Sequence, residues 1–196
     1  MGDDSSKLLF EAVDYARQKN VLFVAAAGNG KTGVGFDNDR EPHPILPCGL
    51  DLENVICVAA SDQEGKLAVF SNFGLKTVHI AAPGVQIFST VPENGYEDVI
   101  DDGKGQIGIW SGTSMSAPHV AGAAALLLSE FPTLGALGVK DLMLRSTFAN
   151  PPLRRKVSSG GILNLARAFS SVPLFSGTTR QRALTKLFFS PYWPAF

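Results

Sequence analysis

The sequence lacks the features that mark several specialised classes of protein: many cysteines, a long apolar run, a large net charge and a signal peptide. Its 196 residues include only two cysteines, which do not make a disulfide framework or a zinc site. No apolar run approaches the roughly 20 residues that a membrane-spanning helix needs. The formal net charge is -1, so the charge balance does not indicate nucleic acid or an anionic membrane as a partner. Residues 1–7 are polar and lack the apolar region of a signal peptide.

What remains is the composition of a soluble globular domain, with 45% hydrophobic and 18% charged residues. Apolar runs closed by turn residues predict three buried strands, at Val21–Ala27, Asn54–Ser61 and Thr77–Ala82. Periodicity and alanine- or leucine-rich runs predict four helices, at Ser5–Asn20, Ser114–Glu130, Val139–Ser146 and Gly161–Phe169. Because the two kinds of segment alternate, the sequence predicts an α/β fold with a mainly parallel sheet covered by helices on both faces.

Two regions depart from this alternation. The segments Asp98–Ile100 and Gln106–Trp110 flank an Asp-Asp-Gly turn and predict a β-hairpin. After Ser171 the chain mixes basic and aromatic residues with prolines. We therefore expect residues 1–171 to form part of one domain and residues 172–196 to be a poorly ordered tail of unknown role. A membrane-surface or partner-binding tail is the alternative.

The two cysteines, Cys48 and Cys57, stand nine residues apart in a stretch that is predicted to be loop and then strand. They could be bridged only if the loop doubles back. We expect two inert buried thiols, because free cysteine is among the most buried residue types.

The segment around Ser114 carries the strongest chemical signal. A glycine, Gly112, precedes a serine that stands at the start of a predicted helix, and Pro118 follows near the first turn. Helix N-termini offer unpaired N–H groups and the positive end of a dipole, so a serine there can attack a carbonyl whose oxygen becomes negative. From spacing alone, a serine that merely caps a core helix is the favoured interpretation.

The run Gly112-Thr113-Ser114-Met115-Ser116-Ala117-Pro118-His119 closely resembles the active-site serine signature of the subtilisin-like proteases. The resemblance implies that Ser114 is the nucleophile and that Ser111 and Ser116 are not. The run Val24-Ala25-Ala26-Ala27-Gly28-Asn29 is similar to the family segment that ends in the oxyanion asparagine, which implies that role for Asn29. With weaker matches between and after these runs, the resemblance covers about residues 5–168.

The family also uses a histidine that is followed by glycine, and an aspartate, both ahead of the serine in the chain. None of the three histidines here, His43, His79 and His119, precedes a glycine. We expect His119 to pack in the core and none of the three to act as the base. The expectation is therefore an incomplete domain, inactive as this chain alone, that lacks its N-terminal strands. A partial sequence, a genuine half-domain and a partner chain that supplies the other half are all open.

The resemblance implies a serine endopeptidase that works through an acyl-enzyme on Ser114 and acts on protein or peptide substrates. Ala26, Ala27 and Gly28 would line the specificity pocket, and Ile45 near its floor would make that pocket shallow. No cofactor is required; some members bind structural calcium, for which Asp37 and Asp39 are candidates, although solvated loop charges are the preferred interpretation. The family suggests a secretory location. The competing hypothesis is a binding or scaffold protein that has lost catalysis.

Overall fold

A five-stranded sheet forms the centre of the molecule. The computed structural model describes residues 4–43, 45–91, 95–97, 99–101 and 107–172. In sequence order, the strands of this sheet are β1 (Phe23–Ala26), β2 (Val55–Ser61), β3 (Ile80–Pro83), β8 (Phe148–Ala149) and β9 (Gly161–Ile162). Their order in space is β1-β2-β3-β9-β8, with the first four parallel and β8 antiparallel. The mainly parallel α/β sheet predicted from the apolar runs is confirmed.

Two small antiparallel ribbons stand apart from this sheet. One pairs β4 (Ser89–Val91) with β5 (Gly95–Glu97). The other pairs β6 (Val99–Asp101) with β7 (Ile107–Ile109), which confirms the predicted hairpin. In sequence, both ribbons lie between β3 and the longest helix, and residues of β4 and β5 line a groove together with Ser114.

Four α-helices accompany the strands: α1 (Asp4–Gln18), α2 (Thr113–Glu130), α3 (Gly135–Arg145) and α4 (Leu165–Ser171). One face of the sheet packs against α2, α3 and α4. There, Ile56, Ile80 and Leu127 are fully buried in a core that burial of apolar surface stabilises. Among the described residues no single helix is long and apolar enough to cross a membrane. Only together do α2 and α3, which are separated by a sharp bend, reach that length and apolar composition.

The opposite face of the sheet packs against loops. On this face the structure corrects the prediction for the two cysteines. Cys48 and Cys57 are joined by a disulfide, and both are buried, with Leu153 and Val157 in the same cluster. The loop doubles back at a turn in which Gly49 N donates to Ile45 O. Because sequence separation does not reveal such a turn, the expectation of two free thiols was wrong.

The bounds of a predicted helix also differ from those in the structure. Residues 161–169 were expected to be one helix, but Gly161–Ile162 is a strand of the sheet and the helix begins only at Leu165. Asn164 caps that helix, because its side chain accepts from Arg167 N. A glycine-rich start followed by a capping asparagine thus separates strand from helix. The predicted tail beyond residue 172 lies outside the described residues.

Candidate active site

Ser114 is the second residue of α2 and its side chain is exposed. The turn before it is fixed by two backbone bonds, Gly112 N to Gly84 O and Met115 N to Gly112 O, at 2.8 and 3.0 Å. N–H groups in the first turn of a helix have no partner within that helix, so the backbone N–H of Ser114 is available to a ligand. In the described part of the chain the Ser114 hydroxyl has no hydrogen-bond partner. The serine is therefore presented to solvent at the positive end of a helix dipole.

Asn29 lies directly beside this turn, although 85 residues separate it from Ser114 along the chain. It follows β1 at the carboxyl edge of the sheet. Its Oδ1 accepts from both the N–H and the hydroxyl of Thr113, each at 2.9 Å. These two bonds orient the amide and leave Nδ2 without a partner among the described residues. A Cβ built on Gly112 would lie 3.3 Å from Asn29 Nδ2, so the glycine is what lets the amide approach the serine turn.

The pairing of these groups suits one chemistry. Asn29 Nδ2 and the Ser114 N–H are two available donors, and Asn29 is held against Thr113, the residue directly before the exposed Ser114. If the Ser114 hydroxyl attacks a carbonyl, the carbonyl oxygen becomes negative and needs such donors. Since the donors are held by the fold, they need no reorganisation when the charge develops.

A groove of about 440 Å³ borders Ser114. Most of its wall is apolar. The apolar lining side chains are Ile87, Val91, Trp110, Met115 and Pro118, and the polar ones are Ser89, Thr90, Glu97, Ser114 and His119. The two-stranded ribbon β4–β5 supplies one side and α2 the other. A polypeptide segment can therefore lie against the serine in a largely apolar setting.

Residues 1–178 match the model of the subtilase family of peptidases. The chain belongs to the subtilase family. It is 38% identical over 149 residues to Subtilisin DY of Bacillus licheniformis, which is 76% of this chain and 47% of the relative. It is 43% identical over 128 residues to the Thermophilic serine proteinase of Bacillus sp. (strain AK1), which is 65% of this chain and 26% of the relative. The chain thus spans less than half the length of either relative.

Solved structures give the same family likeness. The self-cleaved protease domain of PatA resembles this subtilase with a TM-score of 0.61 and 36% identity, over 82% of this chain and 53% of that one. The MycP3 protease from the type VII (ESX-3) secretion system has a TM-score of 0.64 and 27% identity, over 78% and 45% of the two chains. The fold predicted from the serine signature is therefore confirmed.

His79 lies at the end of the sheet opposite to the end that carries Asn29. It directly precedes β3, whereas Asn29 lies three residues after the end of β1, and parallel strands place these positions at opposite ends of the sheet. His79 Nδ1 accepts from Cys57 N at 2.9 Å, and burial, together with the charge of Lys140, lowers the pKa of His79 to about 4. The ring is therefore a neutral structural acceptor.

The other two histidines are exposed. His119 was expected to pack in the core, but it is exposed and lines the Ser114 groove. Its Nδ1 contacts Met115 O at 2.8 Å, and because a carbonyl can only accept, Nδ1 carries the proton and ties the ring to its own helix. His43 is an exposed loop residue.

The neighbouring serines have other environments. Ser111 Oγ accepts from Gln86 N at 2.9 Å. Ser116 is fully buried, and a Cβ built on Gly84 would lie only 2.2 Å from its Oγ, so the two are in tight contact. Neither is presented as Ser114 is.

The predicted pocket residues lie at the end of β1. Ala27 is fully buried, while Ala26 and Gly28 are half-buried. Their role in binding substrate stays a prediction.

Asp37 and Asp39, the candidates for calcium binding, accept hydrogen bonds from other residues of the protein. Burial raises the pKa of Asp39, but the N–H groups of Lys76 and Thr77 and the Thr77 hydroxyl outweigh it, so the pKa is lowered overall. Asp37 Oδ1 accepts from Asp39 N. No group of three His, Cys, Asp or Glu side chains that could hold a metal occurs within the described residues. Calcium binding stays a prediction.

Sequence reasoning missed the residues that hold Asn29 in place. Thr113 was read only as part of the serine signature, yet its hydroxyl also accepts from Gly28 N at 3.2 Å while it donates to Asn29. Two asparagines, Asn38 and Asn72, approach the same strand end from loops. Only the placement of Thr113 directly before Ser114 could have indicated its role, because the residues around either asparagine form no pattern that points to β1.

Proposed function

We propose that this chain is the C-terminal part of the catalytic domain of a serine endopeptidase and that Ser114 is its nucleophile. The hydroxyl attacks the carbonyl carbon of a peptide bond, and the oxygen takes up negative charge between Asn29 Nδ2 and the Ser114 N–H. The amine then leaves with a proton, and water hydrolyses the acyl-enzyme. The observation that carries this proposal is the exposed Ser114 beside an amide that Thr113 fixes with Nδ2 free.

The proton in this mechanism must go to a base outside the described residues. His79 is at the far end of the sheet, and although His119 lines the same groove as Ser114, no hydrogen bond joins the two side chains in the described structure. A histidine and an orienting aspartate would therefore be supplied by another segment, either earlier in a longer chain or on a separate chain. The missing N-terminal half of the domain is thus a proposed partner.

The exposed side of α2 supports such a segment. From Val120 to Leu128 the helix carries no polar side chain, which is typical of a helix buried all round. Nevertheless Pro118, Ala121, Gly122 and Ala125 are exposed, and Pro118 also lines the groove that contains Ser114. A segment that covered this face would bury apolar surface and reach the hydroxyl from the groove side.

Substrate and location follow as parts of the same proposal. A protein or peptide would be cut, with Ala26, Ala27 and Gly28 along the wall of the specificity pocket. No cofactor takes part in these steps, and calcium would have only a structural role. A secretory location is supported by one relative, the Extracellular basic protease of Dichelobacter nodosus.

The second candidate function is a binding or scaffold protein that keeps the fold but not the reaction. Its support is that the described residues contain a nucleophile and an oxyanion donor without a base that reaches them.

The experiment is labelling with a fluorophosphonate probe after the transcript has been sequenced across residue 1. We expect this chain alone to remain unlabelled. We expect labelling and peptide hydrolysis when an upstream segment with the aspartate and histidine is supplied in the same chain or co-expressed. Ser114→Ala should abolish both signals, whereas the matched control Ser111→Ala should retain them. Absence of labelling in the completed protein, or labelling that survives Ser114→Ala, favours the scaffold hypothesis or another nucleophile.

A further inference from the structure

We propose that two buried asparagines, Asn38 and Asn72, are positioning residues for the oxyanion amide. They hold the backbone of residues 27–29 at the end of β1, so that Asn29 meets Thr113 with its Nδ2 directed to the serine side. The proposal rests on the proposed function of Ser114 and Asn29, and it assigns residues that the serine signature does not contain.

Asn38 anchors the first carbonyl of this segment. It lies in a 3-10 turn of residues 38–40, and its Nδ2 donates to Ala27 O at 3.0 Å. That carbonyl belongs to the residue just after β1, and the N–H of the same residue, bonded to Val58 O at 2.9 Å, makes the last bond from this segment to β2. The side chain of Asn38 is only 4% exposed, so the bond is shielded from water. A shielded hydrogen bond to a strand end restrains the direction in which the next residues leave the strand.

Asn72 anchors the next carbonyl and locks Asn38. Its backbone N–H donates to Gly28 O at 2.9 Å, and its Nδ2 donates to Asn38 Oδ1 at 3.0 Å. Its Oδ1 accepts from Phe36 N at 3.2 Å, and the residue is 2% exposed. These hydrogen bonds join the end of β1, the turn at residues 36–38 and Asn72, and the amide–amide contact links the two asparagines.

Gly28 shows how closely this pair fits the strand end. Its φ of 103° lies in the left-handed region, and a Cβ there would be 2.7 Å from Asn72 Nδ2. The backbone at Gly28 is thus packed closely against the Asn72 side chain. The N–H of the same glycine donates to Thr113 Oγ1, so residues 27–29 are held from both sides.

The consequence for catalysis comes from the tolerance of an oxyanion site. The donor must lie within hydrogen-bond distance of the position that the charged oxygen takes in the transition state. A shift of about 1 Å at such a group is sufficient to lower the rate substantially. Since Asn29 is itself exposed, loosening Ala27 O would let the amide drift while Ser114 stays in place.

The test is a double-mutant cycle in the completed, active protein. We expect Asn38→Ala to lower kcat by about tenfold and to change KM by less than about twofold, because the lost interaction acts only in the transition state. In an Asn29→Ala background the same substitution should change kcat by less than about twofold, because no amide is left to position. Asn72→Ser serves as the second variant if Asn38→Ala fails to fold, with the same pattern expected.

The matched control is Asn150→Ala. Asn150 Nδ2 also donates to a backbone carbonyl, that of Gly65 at 2.7 Å, but away from residues 27–29. We expect it to leave kcat within about twofold in both backgrounds. An equal loss of kcat from Asn38→Ala with and without Asn29, or no loss at all, overturns the proposal.

A second readout separates this inference from the proposed function. If the completed protein neither hydrolyses peptides nor labels at Ser114, the proposed function fails, and the pair is judged by the NMR signals of the Asn29 side-chain amide in the full 196-residue chain. Displacement of these signals by Asn38→Ala and not by Asn150→Ala supports positioning. Unchanged signals overturn it.

Discussion

The two edges of the central sheet use polar groups in opposite ways. At the carboxyl edge, Asn29 Nδ2 and the Ser114 hydroxyl are exposed and have no partner among the described residues. At the amino edge, Lys140 Nζ donates to Glu53 O and Val55 O at 3.0 and 2.6 Å and lies 3.5 Å from His79 Nε2. At the carboxyl end, two oriented polar groups are thus left open, whereas at the amino end Lys140 Nζ and His79 Nδ1 are bonded to backbone groups.

This difference separates a site from a structural network. Burial lowers the pKa of both His79 and Lys140, which by itself would attract attention as a sign of a functional site. Their partners, however, are the backbone groups Glu53 O, Val55 O and Cys57 N in the first part of β2 or just before it, so they secure the start of that strand. The comparison teaches that unused, oriented donors indicate chemistry better than perturbed pKa values do. Substitutions at the carboxyl end should therefore lower mainly kcat, and those at the amino end should lower mainly the free energy of unfolding.

The largest effect is expected from Asn29→Ala in the completed protein. Removing one oxyanion donor in serine proteases has an established cost of about 10²–10³ in kcat, and we expect a loss on that scale. The free energy of unfolding should fall by only about 1 kcal/mol, because the bonds from Thr113 are the interactions lost. Steady-state kinetics and urea unfolding measure the two quantities. A large loss of stability with intact kcat would reverse the comparison.

The next effect is a loss of stability in acid that depends on His79. Its pKa is about 4 in the folded protein against 6.5 for an unperturbed histidine, so the unfolded chain takes up the proton first as the pH falls. The contribution is complete above pH 6.5, declines between pH 6.5 and about 4, and amounts to about 3 kcal/mol at most. Urea unfolding at pH 7, 5.5 and 4 should show this decline.

The variant His79→Asn isolates this contribution, because an asparagine oxygen can accept from Cys57 N without titrating in this range. We expect the difference between wild type and variant to shrink as the pH falls from 7 to 4. His43→Asn, in an exposed loop, should leave the wild-type pH profile unchanged. An identical pH slope in His79→Asn and wild type contradicts the assignment.

The smallest effect is expected from Lys140→Met, which keeps the apolar stem and removes the donors to Glu53 O and Val55 O. We expect the free energy of unfolding to fall by about 1–2 kcal/mol and kcat to stay within about twofold. Lys66→Met is the control, since Lys66 is paired only with Glu64 at an exposed site, and it should change stability by less than about 0.5 kcal/mol. A drop in kcat for Lys140→Met would mean that the amino edge contributes to the reaction.

Local patterns predicted the parts of the molecule whose signal is carried by neighbouring residues. The apolar runs of β1, β2 and β3 and the alanine-rich α2 appear within a few residues of their predicted bounds. The region 161–169 failed because two residues of strand pairing depend on β3 and β8, which are distant in sequence. Short sheet segments have no periodicity of their own to detect.

The sequence by itself determined the family, the mainly parallel sheet and the choice of Ser114 and Asn29, because each rests on a contiguous run of residues. Only the tertiary structure decided the disulfide, the exposure of His119 and the anchoring of the β1 end by Asn38 and Asn72. Those features join residues that are brought together by loops and turns. Loop paths are set by many weak contacts across the whole fold, so no local pattern specifies them.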